Sequence, residues 1–240
     1  MLRALIFDLD GTLADTEETH RQAFNAAFIQ FELWWDWGPQ RYAELLRVSG
    51  GKERIVHYIG TLDAPQAERA RLLQLVPALH RTKTRIYTEL LERGQRPFRP
   101  GVLRLLREAK SRRLVLAIAS TSSSASVAAL LHANLANEPG IAFDVIVCAD
   151  QVPAKKPAPD IYKLALSSLR LAADECIAFE DSVNGLRAAK AAGLVAVVTP
   201  TRWNVDQDYR GADLVQPSLD EPPLDIARLE HLLGGTRAAA

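Results

Sequence analysis

The chain has only two cysteines, Cys148 and Cys176, in 240 residues. Both lie inside apolar runs and no CxxC pair occurs, so no disulfide framework is implied and both read as packing thiols. Neither sign of charge is in excess: 29 basic against 29 acidic side chains give a net charge of zero. That balance excludes a dedicated nucleic-acid binder, which carries a basic surplus. No apolar stretch reaches membrane-spanning length, so no membrane partner is expected. The first apolar run is short and is followed by Asp8 and Asp10, so it is not read as a secretory signal. A reducing, cytoplasmic-type compartment (plastid stroma in a plant or alga) fits. Internal repeats and low-complexity segments are also missing. What remains is 48% hydrophobic and 24% charged residues, an ordinary globular composition that excludes disorder. The length is ample for a buried core in one or two domains.

Five short runs, nearly continuous in Val, Ile, Leu and Ala, read as buried parallel strands: Ala4–Leu9, Leu114–Ala119, Phe143–Ala149, Cys176–Phe179 and Leu194–Thr199. Helical patterns over Gly101–Arg112, Ser122–Leu135, Pro159–Leu171 and Val183–Ala192 alternate with the last four. The alternation predicts an α/β, Rossmann-like doubly wound parallel sheet. Residues 16–93 break it. They read as helical throughout, with Ala23, Phe24, Ala27, Phe28 and Phe31 on one helix face and Pro39 opening a further helix. Pro77 predicts a kink or a split in the pattern Gln66–Glu92. The expected organisation is a helical insert, 16–93, forming a second small domain beside a core of 1–15 and 94–240, with linker crossings near Ala14–Glu17 and Gly94–Pro100. Trp34, Trp35 and Trp37 read as packing of the insert. The stretch from about Asp220 onward reads as a poorly ordered end.

Ligands of open α/β sheets bind beyond the carboxyl ends of the strands. Polar residues gather at four such ends: Asp8-Leu9-Asp10-Gly11-Thr12, Ser120-Thr121-Ser122, Lys155-Lys156-Pro157 and Glu180-Asp181-Ser182. Several carboxylates at one edge repel one another unless a cation shares the site. All-oxygen ligation by carboxylates suits Mg²⁺. A lysine and hydroxyls beside it suit a phosphate, and a carboxylate can be the nucleophile of phosphoryl transfer. Taken one at a time, Asp10-Gly11 is also a plain turn, Glu180-Asp181 a solvated loop and Ser120 a helix N-cap. Jointly these would be four coincidences.

The four motifs resemble, in order, those of the haloacid dehalogenase superfamily: Asp8-Leu9-Asp10-Gly11-Thr12, then Ser120, then Lys156-Pro157-Ala158-Pro159-Asp160, then Glu180-Asp181-Ser182. The resemblance implies Asp8 as nucleophile and Asp10 as general acid and base, the pattern of phosphatases and phosphomutases rather than dehalogenases. It implies Ser120, with the Thr121 amide and Ser122, as phosphoryl ligands, and Lys156 as the cation beside Asp8. It implies Mg²⁺ on Asp8, the Asp10 carbonyl and Asp181, with Glu180 adjacent. The core would be the phosphatase domain, and the insert a helical cap that selects substrate.

Ser49-Gly50-Gly51-Lys52-Glu53-Arg54-Ile55, Thr16-Glu17-Glu18-Thr19-His20-Arg21 and Lys155–Tyr162 are similar to CbbY-type proteins, sugar-bisphosphate phosphatases that act on xylulose 1,5-bisphosphate. By itself, Gly50-Gly51-Lys52 before a helix reads either as a second anion site or as a turn with a solvated lysine. The resemblance implies the former, with Lys83 as a second cation. Glu17 and His20 are further substrate-side candidates, His20 being equally readable as a surface side chain. β-Phosphoglucomutase is the competing resemblance, although Gly50 stands where its loop carries arginine. A phosphoglycolate-type phosphatase ranks after it, and a non-catalytic binding module last. The expected partner is a small phosphorylated sugar, and the expected state a monomer.

Overall fold

The computed structural model describes residues 1–93 and 96–238. The chain divides into two compact units, one of Met1–Asp15 with Arg96–Ala240 and one of Thr16–Gln95. The chain enters through β1 (Ala4–Phe7) in the first unit. It then forms the whole second unit from four helices: α1 (Glu17–Gln30), α2 (Pro39–Leu45), α3 (Gly51–Thr61) and α4 (Gln66–Arg93). Back in the first unit follow α5 (Val102–Ser111), β2 (Val115–Ala119), α6 (Ser124–Leu135) and β3 (Val145–Val147). Then come α7 (Asp160–Leu169), β4 (Cys176–Glu180), α8 (Val183–Ala191), β5 (Val195–Val198), β6 (Leu214–Val215) and α9 (Ile226–Ala238).

The six strands form one parallel sheet in the order β3-β2-β1-β4-β5-β6. This is the doubly wound α/β fold. Parallel strands buried on both faces need apolar residues at every position, which is why these segments read as runs and not as alternations. The two faces still differ in size. Ala4, Ile6, Ala117, Ala119, Cys176, Ala178, Ala196 and Val198 share one core cluster with α7 and α8. Small side chains there let the helices approach the sheet closely. Phe7 and Phe179, odd members of the same strands, stack with ring centroids 4.5 Å apart. Because all strands run the same way, their carboxyl ends lie along one edge. Burial pushes the thiols of Cys148 and Cys176 up to about 11 and about 12, so both stay protonated and inert.

In the helical unit, Trp37 is fully buried between Phe24 and Phe28, at 4.7 and 4.8 Å, with Tyr58 5.3 Å away. Trp35 packs edge-on to Phe28 and Tyr58. Trp34 does not join them: it is exposed. Pro77 does not divide its segment, and α4 runs through it as one helix. The lost N–H costs that helix a bond, but Leu72, Val76, Leu79, Ile86 and Tyr87 bury its inner face, and it packs on both α1 and α3.

The expectation of a poorly ordered end from Asp220 is corrected. Leu224, Ile226, Leu229 and Leu233 are buried, and α9 packs against α5. Apolar spacing at i, i+3 and i+7 outweighs the prolines before it and the Gly234-Gly235 pair inside it. Strand β6, two residues long, was not expected; its Leu214 and Val215 are only partly covered. Gly94, in the expected second crossing, lies outside the described residues.

Candidate active site

Asp8 follows the last residue of β1, and its amide donates to the Phe179 carbonyl at 3.0 Å, which continues the ladder to β4 by one step. Its carboxylate is therefore held at the sheet edge, beside the Glu180-Asp181 pair that ends β4. One carboxylate oxygen from each of Asp8, Glu180 and Asp181 falls within 4.8 Å of the others, and all three residues are buried. One ammonium serves two of them. Lys156 Nζ donates to Asp8 Oδ1 at 2.7 Å, to Glu180 Oε1 at 2.5 Å and to the Ala119 carbonyl at 2.8 Å. The Tyr162 hydroxyl also donates to Glu180 Oε1, at 2.5 Å.

Charge sets the chemistry of this cluster. Burial pushes the Asp8 carboxyl up to about 7; Lys156 opposes the shift and Glu180 adds to it. Burial pulls Lys156 down, but Asp8 and Glu180 more than offset that and hold its ammonium above the ordinary range. Burial and then the Glu180 charge raise the Tyr162 phenol, which stays a donor. Three buried carboxyl groups share the Lys156 ammonium, and Arg99 also acts on Asp181. Glu180 Oε2 has no hydrogen-bond partner although it is buried. An all-oxygen donor set of three buried carboxyl groups with an orphaned carboxylate oxygen fits a divalent hard cation such as Mg²⁺.

Two glycines make room for these carboxylates. A Cβ on Gly11, which has φ +83, would stand 2.1 Å from Asp181 Oδ2. A Cβ on Gly185 would stand 1.8 Å from Glu180 Oε2.

Asp10 and the β2 end form a second group. The Ser122 hydroxyl donates to Asp10 Oδ2. The Ser122 amide donates to Ser120 Oγ at 3.1 Å, and Ser120 is buried with its own amide on the Val147 carbonyl. Ser120 is not the helix cap. Ser123 caps α6, accepting from the Ser126 amide. Thr121 is partly exposed between them.

The remaining candidates belong to the helical unit. Lys83 is buried, its Nζ 2.6 Å from His20 Nδ1 and 4.8 and 4.9 Å from the Phe24 and Tyr87 ring centroids. His20 is buried too, stacked on Tyr87 at 3.9 Å, so it is not a surface histidine. Glu17 Oε2 accepts from the Tyr42 hydroxyl at 2.7 Å. Ser49 and Gly50 lead into α3, which Gly51 opens, and Lys52 is exposed on its first turn.

Four residues that the strand-end rule passed over take part. Asn204, on the loop after β5, donates from Nδ2 to Asp181 Oδ2 at 2.7 Å. Arg99 donates to the Gly11 carbonyl, to the Thr199 carbonyl at 2.6 Å, and to the Pro200 and Pro217 carbonyls at 3.0 Å, tying the Asp10 loop to the β5 loop. Tyr162 is the third. In the helical unit, Arg54 donates to the Leu45 carbonyl at 3.2 Å, to Val48 at 3.4 Å and to the Tyr42 hydroxyl at 3.1 Å, and so shapes the approach to Ser49. A signal for Asn204 existed: Thr199–Asn204 follows the fifth strand as the other motifs follow the first four.

Comparison with known proteins agrees with this geometry. Residues 2–193 match the haloacid dehalogenase-like hydrolase family. Protein CbbY (plasmid) of Cupriavidus necator is 48% identical over 221 residues, covering 92% of this chain and 87% of that protein. The crystal structure of CbbY from Rhodobacter sphaeroides in complex with phosphate superposes with a TM-score of 0.87 at 40% identity, over 96% of this chain and all of that one. A mutant of the same protein, in complex with xylulose-(1,5)bisphosphate, gives 0.86 at 40% identity over 95% of this chain and 99% of that one. With its four strand-end motifs gathered at one sheet edge and this match over most of its length, the chain belongs to the haloacid dehalogenase-like hydrolases.

Proposed function

We propose that this hydrolase cleaves the phosphate ester of a phosphorylated sugar, with xylulose 1,5-bisphosphate as its preferred substrate, through a phosphorylated Asp8. The observation that carries the reading is the Asp8–Lys156 pair at 2.7 Å, buried beside Glu180 and Asp181. A carboxylate alone would repel a phosphate dianion, and this arrangement supplies the counter-charge. An Asp8 oxygen attacks phosphorus as the bond from phosphorus to the sugar oxygen breaks. Asp10, oriented by Ser122, gives its proton to that leaving oxygen. Water then attacks the phosphorus, Asp10 takes the water's proton, and phosphate departs with Asp8 restored. Lys156 stays charged throughout, and Ser120 with the Thr121 amide binds the phosphoryl oxygens. Asp8, the Asp10 carbonyl, Glu180 and Asp181 would hold Mg²⁺, which when bound neutralises phosphoryl charge.

Choice among phosphate esters falls, in this reading, to the helical unit. Lys52, exposed at the start of α3, offers an ammonium and a helix N-terminus to a second phosphate. The similarity to CbbY, one of whose structures holds xylulose-(1,5)bisphosphate, supports the choice of sugar.

The test is phosphate release with Mg²⁺ from xylulose 1,5-bisphosphate, ribulose 1,5-bisphosphate, β-glucose 1-phosphate and phosphoglycolate. A strong preference for the first supports the proposal. Conversion of β-glucose 1-phosphate to the 6-phosphate without phosphate release makes the chain a mutase and overturns it.

A further inference from the structure

Asn204 is held from two sides. Its Nδ2 donates to Asp181 Oδ2 at 2.7 Å, and its Oδ1 accepts from the Thr201 amide at 2.7 Å and lies 3.3 Å from Thr201 Oγ1. A backbone amide can only donate, so the side-chain amide has one orientation, with its NH₂ toward Asp181. The residue is buried, and the Tyr209 hydroxyl lies 2.7 Å from the Asp181 carbonyl and 2.9 Å from that of Asn204, bracing both backbones. A second observation concerns the same carboxylate oxygen. Asp181 Oδ2 occupies the space a Cβ on Gly11 would fill. That oxygen is therefore wedged between the Gly11 backbone and the Asn204 amide.

We infer that Asn204 is a positioning residue for the divalent cation: it locks Asp181 Oδ2 against Gly11 and so fixes the direction of the Asp181 carboxylate in the Asp8–Glu180–Asp181 cluster. The inference rests on the reading that this cluster binds Mg²⁺. Its physical basis is the repulsion inside the cluster. That repulsion favours turning the Asp181 carboxylate away from Asp8 and Glu180, and a cation would have to reorder a carboxylate so turned on binding. A neutral amide fixes the direction without adding to the positive charge of Arg99, which already acts on Asp181; a further lysine or arginine there would weaken the pull on the cation. Partners behind metal ligands typically set affinity by about 10–100-fold.

The experiment is calorimetric titration of Mg²⁺ into the metal-stripped full chain, without substrate, for wild type, Asn204→Ala and Asn204→Ser, with the metal-free Tm of each. Serine keeps an acceptor for the Thr201 amide but cannot reach Asp181, so it decides the matter if the alanine variant does not fold. The expected result is a Kd for Mg²⁺ raised about 10–100-fold with little change in metal-free Tm. A Kd within about twofold of wild type, set against that expectation, overturns the inference. So does a loss of affinity that always accompanies a matching fall in Tm, or failure of both variants to fold, since Asn204 would then be merely structural. Wild-type protein that takes up no Mg²⁺ at all refutes the cation reading itself, a result separable from the others.

Discussion

Gly185 lacks a side chain where Glu180 needs the space: its hypothetical Cβ would lie 1.8 Å from Glu180 Oε2. Gly185 sits in the first turn of α8, two residues into a helix where glycine is otherwise unfavourable. Gly185→Ala must therefore displace a buried carboxylate that also holds Lys156 and Tyr162. Overpacking and disruption of such a network cost about 2–4 kcal/mol, despite alanine's better helix propensity. Thermal unfolding of Gly185→Ala should show that loss. In a Glu180→Ala background the same change should cost under about 1 kcal/mol, as a double-mutant cycle measures. Equal costs in both backgrounds would mean that the clash is relieved without moving Glu180.

The nucleophile assignment makes a sharper demand. Asp8→Asn removes the attacking oxygen and one negative charge from a crowded cluster, while Lys156 keeps its bonds to Glu180 and Ala119. Turnover should fall by at least roughly 10⁴-fold, and the metal-free Tm should not fall, because the burial that pushes the Asp8 carboxyl up no longer opposes the fold. Phosphate release near the wild-type rate would place the nucleophile elsewhere.

Cation binding should report the Asp8 proton. With its carboxyl pushed up to about 7, Asp8 is largely protonated below that pH in metal-free protein, and Mg²⁺ must displace the proton. Affinity for Mg²⁺ should therefore rise about tenfold per unit between pH 5 and 7 and level off above. Calorimetry in two buffers of different ionisation enthalpy should show proton release at pH 6 and little at pH 8.5. A pH-independent Kd over that range would mean that Asp8 is already ionised without the metal. Removal of the metal by EDTA should silence phosphate release.

What was legible in the sequence follows from what a single strand end can show. Asp8, Ser120, Lys156 and the Glu180-Asp181 pair each stand within a few residues of an apolar run or in the loop beyond it, so pattern and position identify them without neighbours. Asn204 stands at an equivalent place after β5, but a lone amide among Thr201, Arg202 and Trp203 has no meaning until Asp181 lies 2.7 Å away. Arg99 acts through carbonyls of Gly11 and Pro217, far from it in sequence. Tyr162 closes the Lys155–Tyr162 stretch, but only the fold brings Glu180 within 2.5 Å of its hydroxyl. The Leu229 and Leu233 spacing of α9 was readable, and the nearby prolines and glycines masked it.

Lys52 tests the division of labour between the units. It is exposed on the first turn of α3, whereas Lys83 is buried against His20, Phe24 and Tyr87. An exposed ammonium can be deleted without leaving a cavity or an unpaired buried charge, so Lys52→Ala should leave Tm within about 0.5 kcal/mol equivalent of wild type. A hydrogen bond to a charged phosphate contributes about 1.5–3 kcal/mol. The variant should therefore lose about 10–100-fold in kcat/KM on a sugar bisphosphate, mostly through KM, because the second phosphate is bound alike in ground and transition states. On a sugar monophosphate it should lose less than about threefold, since that interaction is never made. Equal losses on both substrates would show that Lys52 does not read a second phosphate, and would leave specificity to the buried His20–Lys83 pair.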